Sequence, residues 1–491
     1  MKRIFYFFLA FYSTFCYAQK QSKIWYFGIQ SGLNFSGGAP TVISVGQTGT
    51  DTGGDNQEGT ACISDSSGNI LFYTGGKTIW NRNNVSMPNG SGLMGGVSST
   101  QSSMIIPLPN SDSLFYVFTT DEFQNYSNST EKGCRYSIVN MCMDNGNGDV
   151  VSNQKNLLLL DSTTEKLAAC EDGSGTGYWI MGHKMFSDEF YAWHLISTGI
   201  NSTIISKIGA IHGWDEVHST WISGAAQGQM KFNPQGTKLA LVIGNIQPAI
   251  LEIFNFNSVS GVLSNSCHIV VDSALQKSAY GLEFSPDGSK LYMGVAGGIG
   301  GKRLYQYDIL AGNSNCDSII TSRKTLFQSN HNSVMFGIQM APDNKIYTFC
   351  NSPYDLGRIN YPNLSGSLAG FDSLAISLTG GPAGEALPSF IAGFRYYNKL
   401  SCLSNNGVKY LAKIGINVFP NPTSNIINLK FESEDEIETI FIHNSLGELV
   451  YENKNPSQEE QIDLSKQAEG IYFLQMKNFE GTFSKKIIVQ H

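Results

Sequence analysis

The chain has 491 residues, too many for one ordinary domain and enough for a large buried core. Glycine is abundant (52 residues), aromatics reach 12% and charged residues only 15%, a texture of short strands and tight turns that argues against a charged helical protein. A net charge of −8 offers no basic face to neutralise phosphates, so nucleic acid and anionic lipid are poor partners.

The first residues set the compartment. Lys2 and Arg3 precede an apolar run over 4–15, and Cys16-Tyr17-Ala18 supplies a small-x-small cleavage site before Gln19. A membrane-spanning anchor needs about 18 or more apolar residues, and this run is shorter. Phe15 is too bulky to precede an acylated Cys16, which disfavours a lipoprotein. Residues 1–18 therefore read as a signal peptide, and nothing later is long enough for a transmembrane segment.

From residue 58 onward a turn followed by an aromatic and β-branched run recurs six times. The turns are Asp65-Ser66-Ser67-Gly68-Asn69, Pro109-Asn110-Ser111-Asp112-Ser113, Asp172-Gly173-Ser174-Gly175-Thr176-Gly177, Pro234-Gln235-Gly236, Pro286-Asp287-Gly288 and Pro342-Asp343-Asn344. A short alternating run such as Gly281-Leu282-Glu283-Phe284-Ser285 precedes each, which is a hairpin signature. Recurrence every roughly 40 to 60 residues is what radial repetition looks like in sequence, and a β-propeller is its usual physical solution. No long stretch carries a 3.6-residue apolar period, so almost no helix is expected. Six repeats leave 25–28 and the late run 387–397 unpaired; pairing these two ends would close a ring of seven blades, with six or eight as the alternatives. The propeller is placed at 19–398.

Eight cysteines remain after residue 16: 62, 134, 142, 170, 267, 316, 350 and 402. An exported chain can form disulfides, but eight cysteines allow 105 pairings. A Cys134–Cys142 bridge is disfavoured, because 135–141 reads as unbroken strand and would hold the sulfurs apart. Cys62 and Cys350 sit in apolar runs and read as buried thiols. No Cys-x-x-Cys or Cys/His cluster suggests a metal, and no cofactor motif is present.

Aligning the repeats on their turns places Glu58, Gln101, Glu165 and Gln227 at one position about seven residues before the turn, at the entry to the innermost strand. Side chains there share one face and one height of the central channel. Two carboxylates and two amides could bind a sugar, a peptide amine or a cation at that mouth. The same residues could instead satisfy backbone amides of adjacent blades. The next two repeats place apolar Ala279 and Met335 there, and Lys166 interrupts the small residues (Gly59, Ser102, Gly228) that follow. Trp179 and Trp193 lie in apolar strand contexts and read as core. Trp214, in a polar loop, is the aromatic candidate for stacking on a ligand.

Catalytic motifs are weaker. Ser64-Asp65-Ser66-Ser67-Gly68 resembles the Asp-box of sialidase propellers, but the arginines at 82, 135, 303, 323, 358 and 395 show no triad spacing. The glycine-rich string 294–301 is followed by no helix and reads as a loop between strands. His183, His194, His212 and His218 have no paired spacing and read as surface or packing residues.

After about residue 411 the texture changes. Residues 412–491 carry 7 Lys and 12 Asp or Glu, and alternating strands of five to seven residues with turns at 444–447 and 478–481 predict a small Ig-like antiparallel β-sandwich behind a linker at 399–411. Pro420-Asn421-Pro422, Asn444-Ser445-Leu446-Gly447-Glu448-Leu449-Val450, Gly470-Ile471-Tyr472-Phe473-Leu474 and the basic Lys485-Lys486 before the last strand resemble, in order, the type A C-terminal sorting domain of type IX secretion. The resemblance implies engagement of that secretion machinery, transport across a Gram-negative outer membrane, removal of the domain, and release or surface attachment. Trp25-Tyr26-Phe27-Gly28, Trp80-Asn81-Arg82-Asn83 and Ser99-Thr100-Gln101-Ser102 resemble cargo propellers of this route, and Pro286-Asp287-Gly288-Ser289-Lys290-Leu291-Tyr292 is similar to WD40-like and TolB-type blades. These families share a shape and no chemistry. The expected function is a secreted or cell-surface, non-catalytic propeller that binds glycan or protein. The alternative is a secreted polysaccharide hydrolase or lyase using Glu58 and Glu165 as acid and base.

Overall fold

The turns form as their chemistry requires. In the computed structural model Asp65 Oδ1 accepts the amides of Ser67 (2.8 Å) and Asn69 (2.9 Å), Asn233 Oδ1 those of Thr237 and Lys238, and Asp287 Oδ1 that of Ser289. Gly288 takes φ +71°, where a side chain would be strained. Strands run from each turn: Lys290–Ala296 follows Asp287, and Leu291, Tyr292, Met293 and Val295 are all fully buried.

The chain divides into two compact units, residues 1–400 and 401–491. The structure describes residues 20–44, 46, 58–123, 125, 132–215, 220–221, 223–244, 248–271, 278–296, 301–330, 337–350, 352, 354–379, 384, 386–393, 416–431, 439–445, 447–454, 456–457, 459–478 and 481–491. The signal-peptide and linker expectations, His218, Met335 and 394–398 lie outside them.

The first unit is an all-β propeller. Among its described residues seven antiparallel sheets follow one another, each a meander, with first strands Ile24–Phe27, Ala61–Ser64, Ser103–Pro107, Thr163–Glu171, Met230–Phe232, Ser278–Phe284 and Ile338–Met340. The first two sheets have three strands, the third has a fifth strand, Leu157–Leu160, and the rest have four. A two-stranded pair, Trp214–Asp215 with Thr220–Trp221, sits between the fourth and fifth sheets in sequence. The one α-helix described, Cys316–Thr321, is capped by the Asn315 side chain and lies between the third and fourth strands of the sixth sheet.

Consecutive sheets pack face to face through aromatics. Tyr26 meets Tyr73 (4.7 Å between ring centres), Phe72 meets Phe115 (5.4 Å), Phe190 meets Phe254 (5.2 Å) and Phe327 meets Phe371 (5.3 Å). The seventh sheet packs on the first: Trp25 lies 6.2 Å from Tyr347 and Phe27 6.2 Å from Phe349. Burying each of the fully buried rings, such as Phe27, Phe72 and Tyr347, contributes about 1.5–3 kcal/mol. Among the described residues the expected strand pairing between 25–28 and the late run is not seen. Ile24–Phe27 pairs with Ser31–Asn34 in a sheet of its own, and 386–393 belongs to no sheet. Among the described residues the seventh and first sheets meet through side-chain packing, with no strand pairing between them.

One further sequence expectation changes. Gly294 and Val295 belong to the strand Lys290–Ala296, because their partners Leu304 and Arg303 extend the hairpin into the glycine-rich string. Cys267, in the fourth strand of the fifth sheet, is disulfide-bonded to Cys316 at the start of the helix. Cys62, Cys134, Cys170 and Cys350 are buried thiols outside any disulfide.

In the second unit Ile416–Phe419, Ile426–Phe431 and Glu459–Asp463 form one sheet, and Leu449–Asn453, Thr439–Asn444, Gly470–Asn478 and Gly481–Val489 another. Both contribute to one core that includes Ile427, Leu429, Ile442, Ile462, Leu474 and Ile487.

Candidate functional site at the channel mouth

The first strands line the centre of the propeller, because side chains at their starts bond across it. Glu58 and Gln101 immediately precede the first strands of the second and third sheets, and Glu165 lies within that of the fourth. There Thr163 pairs with Lys184 and Leu167 with Gly182, so three residues on one strand face only His183 on the other. This bulge re-aims Glu165 and Lys166.

All three acidic and amide candidates so far are occupied by the fold. Gln101 is buried; its Oε1 accepts the amides of Met230 (2.8 Å) and Leu167 (3.3 Å), and its Nε2 donates to the Met230 carbonyl (3.1 Å). One side chain thus ties the third sheet to the fourth and fifth. Glu165, fully buried, accepts from the Thr100 amide (3.0 Å), the Thr100 hydroxyl (2.7 Å) and the Phe123 amide (3.0 Å). Burial lifts its carboxyl to about 7 despite these donors. Glu58 accepts from the Ser98 hydroxyl (3.3 Å) and from the Tyr280 hydroxyl of the sixth sheet, directly across the ring. Burial, then the negative charges of Glu58 and Glu165, hold the Tyr280 phenol well above its usual range.

Gln227 does not join them in kind: it is half-buried, and its backbone carbonyl accepts from Lys166 Nζ (2.7 Å). The residue that repeats the Gln101 pattern is Gln229, whose Oε1 accepts the amides of Leu282 (3.0 Å) and Ile338 (3.1 Å), tying the fifth sheet to the sixth and seventh. Counting back from the turn misses it by two residues, because the run leading into each first strand differs in length. Trp214 lies in the short strand pair opposite Trp221, and its side chain lies outside the described part of the structure.

Behind the mouth lies a polar cluster that the sequence did not single out. Lys166, fully buried, donates to the carbonyls of Ala226 and Gln227 (2.7 Å each), and burial brings its amine down to about 7 against the pull of Glu165 and Glu252. His183 and His212 stack with ring centres 3.6 Å apart, both fully buried. None of their four nitrogens has a hydrogen-bond partner among the described residues, and His212 Nε2 stands 3.9 Å from Glu252 Oε2. Burial, with Lys166 nearby, keeps both rings well below the usual histidine range and so neutral. His194 instead meets Asp172 at 2.9 Å over the face of Trp179, which like Trp193 is buried. Asp65 caps its own turn, and among the described residues no group of His, Cys, Asp or Glu has the geometry of a metal site.

A chain of this architecture belongs to the broad class of β-propellers, carried here with a second small β domain. Residues 417–490 match the family described as the secretion system C-terminal sorting domain, and this part of the chain is a type IX sorting domain that addresses it to the cell surface or the extracellular space. No curated protein matches the chain. Among solved structures it is similar to a protein from Lactobacillus plantarum (12% identity, covering 75% of this chain and 98% of that one, TM-score 0.44). It is also similar to the β-propeller domain of Cps50 (Swd1) from Myceliophteria thermophila (11%, 79% and 96%, 0.31) and to the periplasmic gluconolactonase of Pseudomonas aeruginosa (11%, 77% and 97%, 0.35). Among the described residues no helix is long and apolar enough to cross a membrane.

Proposed function

We propose that the chain is an exported, non-catalytic β-propeller of seven blades that binds a glycan or a protein outside the cell. In this reading 1–18 is a signal peptide, 19–398 the propeller, 399–411 a linker, and 412–491 the sorting address recognised by the type IX machinery. The observation that carries the non-catalytic part is the fate of Glu58, Gln101 and Glu165, whose side chains bond neighbouring sheets from buried positions. A carboxylate saturated by backbone amides and hydroxyls presents little to a substrate, so ligand contact falls to the outer loops, with the Trp214 segment as the first place to look.

The test is the double substitution Glu58→Gln and Glu165→Gln in the mature chain, followed by thermal melting and by a glycan-array and pull-down screen. The reading expects a lower Tm, because each change removes charge-assisted bonds of about 1.5–3 kcal/mol, with the ligand profile retained. Loss of ligand binding at unchanged Tm would return these residues to a ligand site. A hydrolase or lyase reading draws on Glu58 bonded to the Tyr280 hydroxyl and on Glu165 titrating near 7; turnover of a polysaccharide that disappears in Glu165→Gln would establish it.

A further inference from the structure

We propose that the axial channel is a binding site for an extended apolar peptide, and that the chain fills it with its own residues 386–393. The segment Ala386-Leu387-Pro388-Ser389-Phe390-Ile391-Ala392-Gly393 is in no sheet, yet Ala386, Leu387, Ser389 and Ile391 are each 4% exposed or less. It runs from the starts of the first strands towards their ends, touching one sheet after another. A side chain at Gly337, just before the seventh sheet, would come within 2.8 Å of the Ala386 Cα. Leu387 enters the core between the seventh and first sheets, and Phe390 packs 5.8 Å from Trp25. The Ser389 amide donates to the Thr60 carbonyl at the second sheet (2.8 Å). The Ala392 amide donates to the Ala169 carbonyl (2.8 Å), and Ala392 pairs in parallel with Cys170 of the fourth. Gly393, at φ +65°, lies where a Cβ would stand 2.0 Å from the Pro234 carbonyl beside the fifth.

These are the contacts by which proteins take up extended peptides: backbone hydrogen bonds along the strand and pockets for alternate side chains. Pro388, without an amide, needs no partner in the channel. The segment leaves a residual cavity of about 20 Å³ lined by Lys231, Glu283 and Gln339, room for about one water molecule. The channel is therefore occupied in cis. This inference is independent of the outer-loop ligand: either can fail while the other stands.

Amide hydrogen exchange on the unaltered mature chain is the first test. Ser389 and Ala392 are expected to exchange at least about a thousandfold more slowly than in an unstructured peptide, as amides of cooperatively folded strands do. Exchange within about tenfold of the unstructured rate would overturn the proposal. The second test uses the full chain with Gly393→Val, a change confined to the end of the segment. Exchange over 386–393 should rise at least about tenfold while 178–184 stays protected, and a synthetic peptide of residues 386–393 in excess should raise the Tm of this variant but not that of the unaltered chain. If the peptide leaves the variant's Tm unchanged, the channel is not a peptide site.

Discussion

At the scale of single residues, the site is a set of ties. Gln101 and Gln229 each hold two backbone amides on two different sheets. Gln229→Ala would leave the Leu282 and Ile338 amides buried without partners, at a cost of about 1–3 kcal/mol each. Gln227→Ala, at a half-buried position that acts through its backbone carbonyl, is expected to stay within about 0.5 kcal/mol. Chemical denaturation of the two variants separates the positions, and equal losses would contradict the assignment. The His183–His212 stack gives the second residue-scale prediction. Both rings are neutral in the fold and protonate near 6.5 when unfolded. Their folded values are depressed, so the stability they confer is present above pH 6.5 and is lost as pH falls below it. Glu165, whose raised carboxyl takes up a proton near 7 in the fold, acts in the opposite sense over the same range. Melting between pH 7 and pH 5 should therefore show a smaller loss of stability on acidification in His183→Phe with His212→Phe than in the unaltered chain. An unchanged loss in the double variant would count against the stack as its origin.

At the scale of elements, the Cys267–Cys316 disulfide joins the outer strand of the fifth sheet to the helix inserted in the sixth, closing 49 residues of chain. Replacing both cysteines by serine should cost about 2–4 kcal/mol, read as a Tm shift that reducing agent reproduces in the unaltered chain and not in the variant. A reducing-agent shift of equal size in both would contradict the staple. The hairpins themselves were legible in the sequence, since Asp65, Asp172, Asn233, Asp287 and Asp343 act on amides two to five residues away. The disulfide was not, because its partners lie on different sheets and nothing local relates them. The register of the tie residues was only partly legible: the bulge at 164–166 re-aims Glu165 and Lys166, and the unequal run-in to the fifth sheet puts Gln229 two residues from the position that spacing assigns.

At the scale of the whole molecule, radial repetition was legible because six of the seven sheets repeat the same turn chemistry. The closure was not. Residues 386–393 carry neither the alternation nor the turn residues of a strand, and their course depends on contacts with several sheets at once. The sorting-domain motifs of the second unit were legible, since they occur in the order that family requires. Export of this propeller by its sorting domain is tested most directly by deletion of residues 412–491 followed by cell fractionation. The full chain is predicted at the cell surface or in the medium and the truncated chain, folded, in the periplasm. Unchanged appearance of the folded truncated chain outside the cell would contradict it.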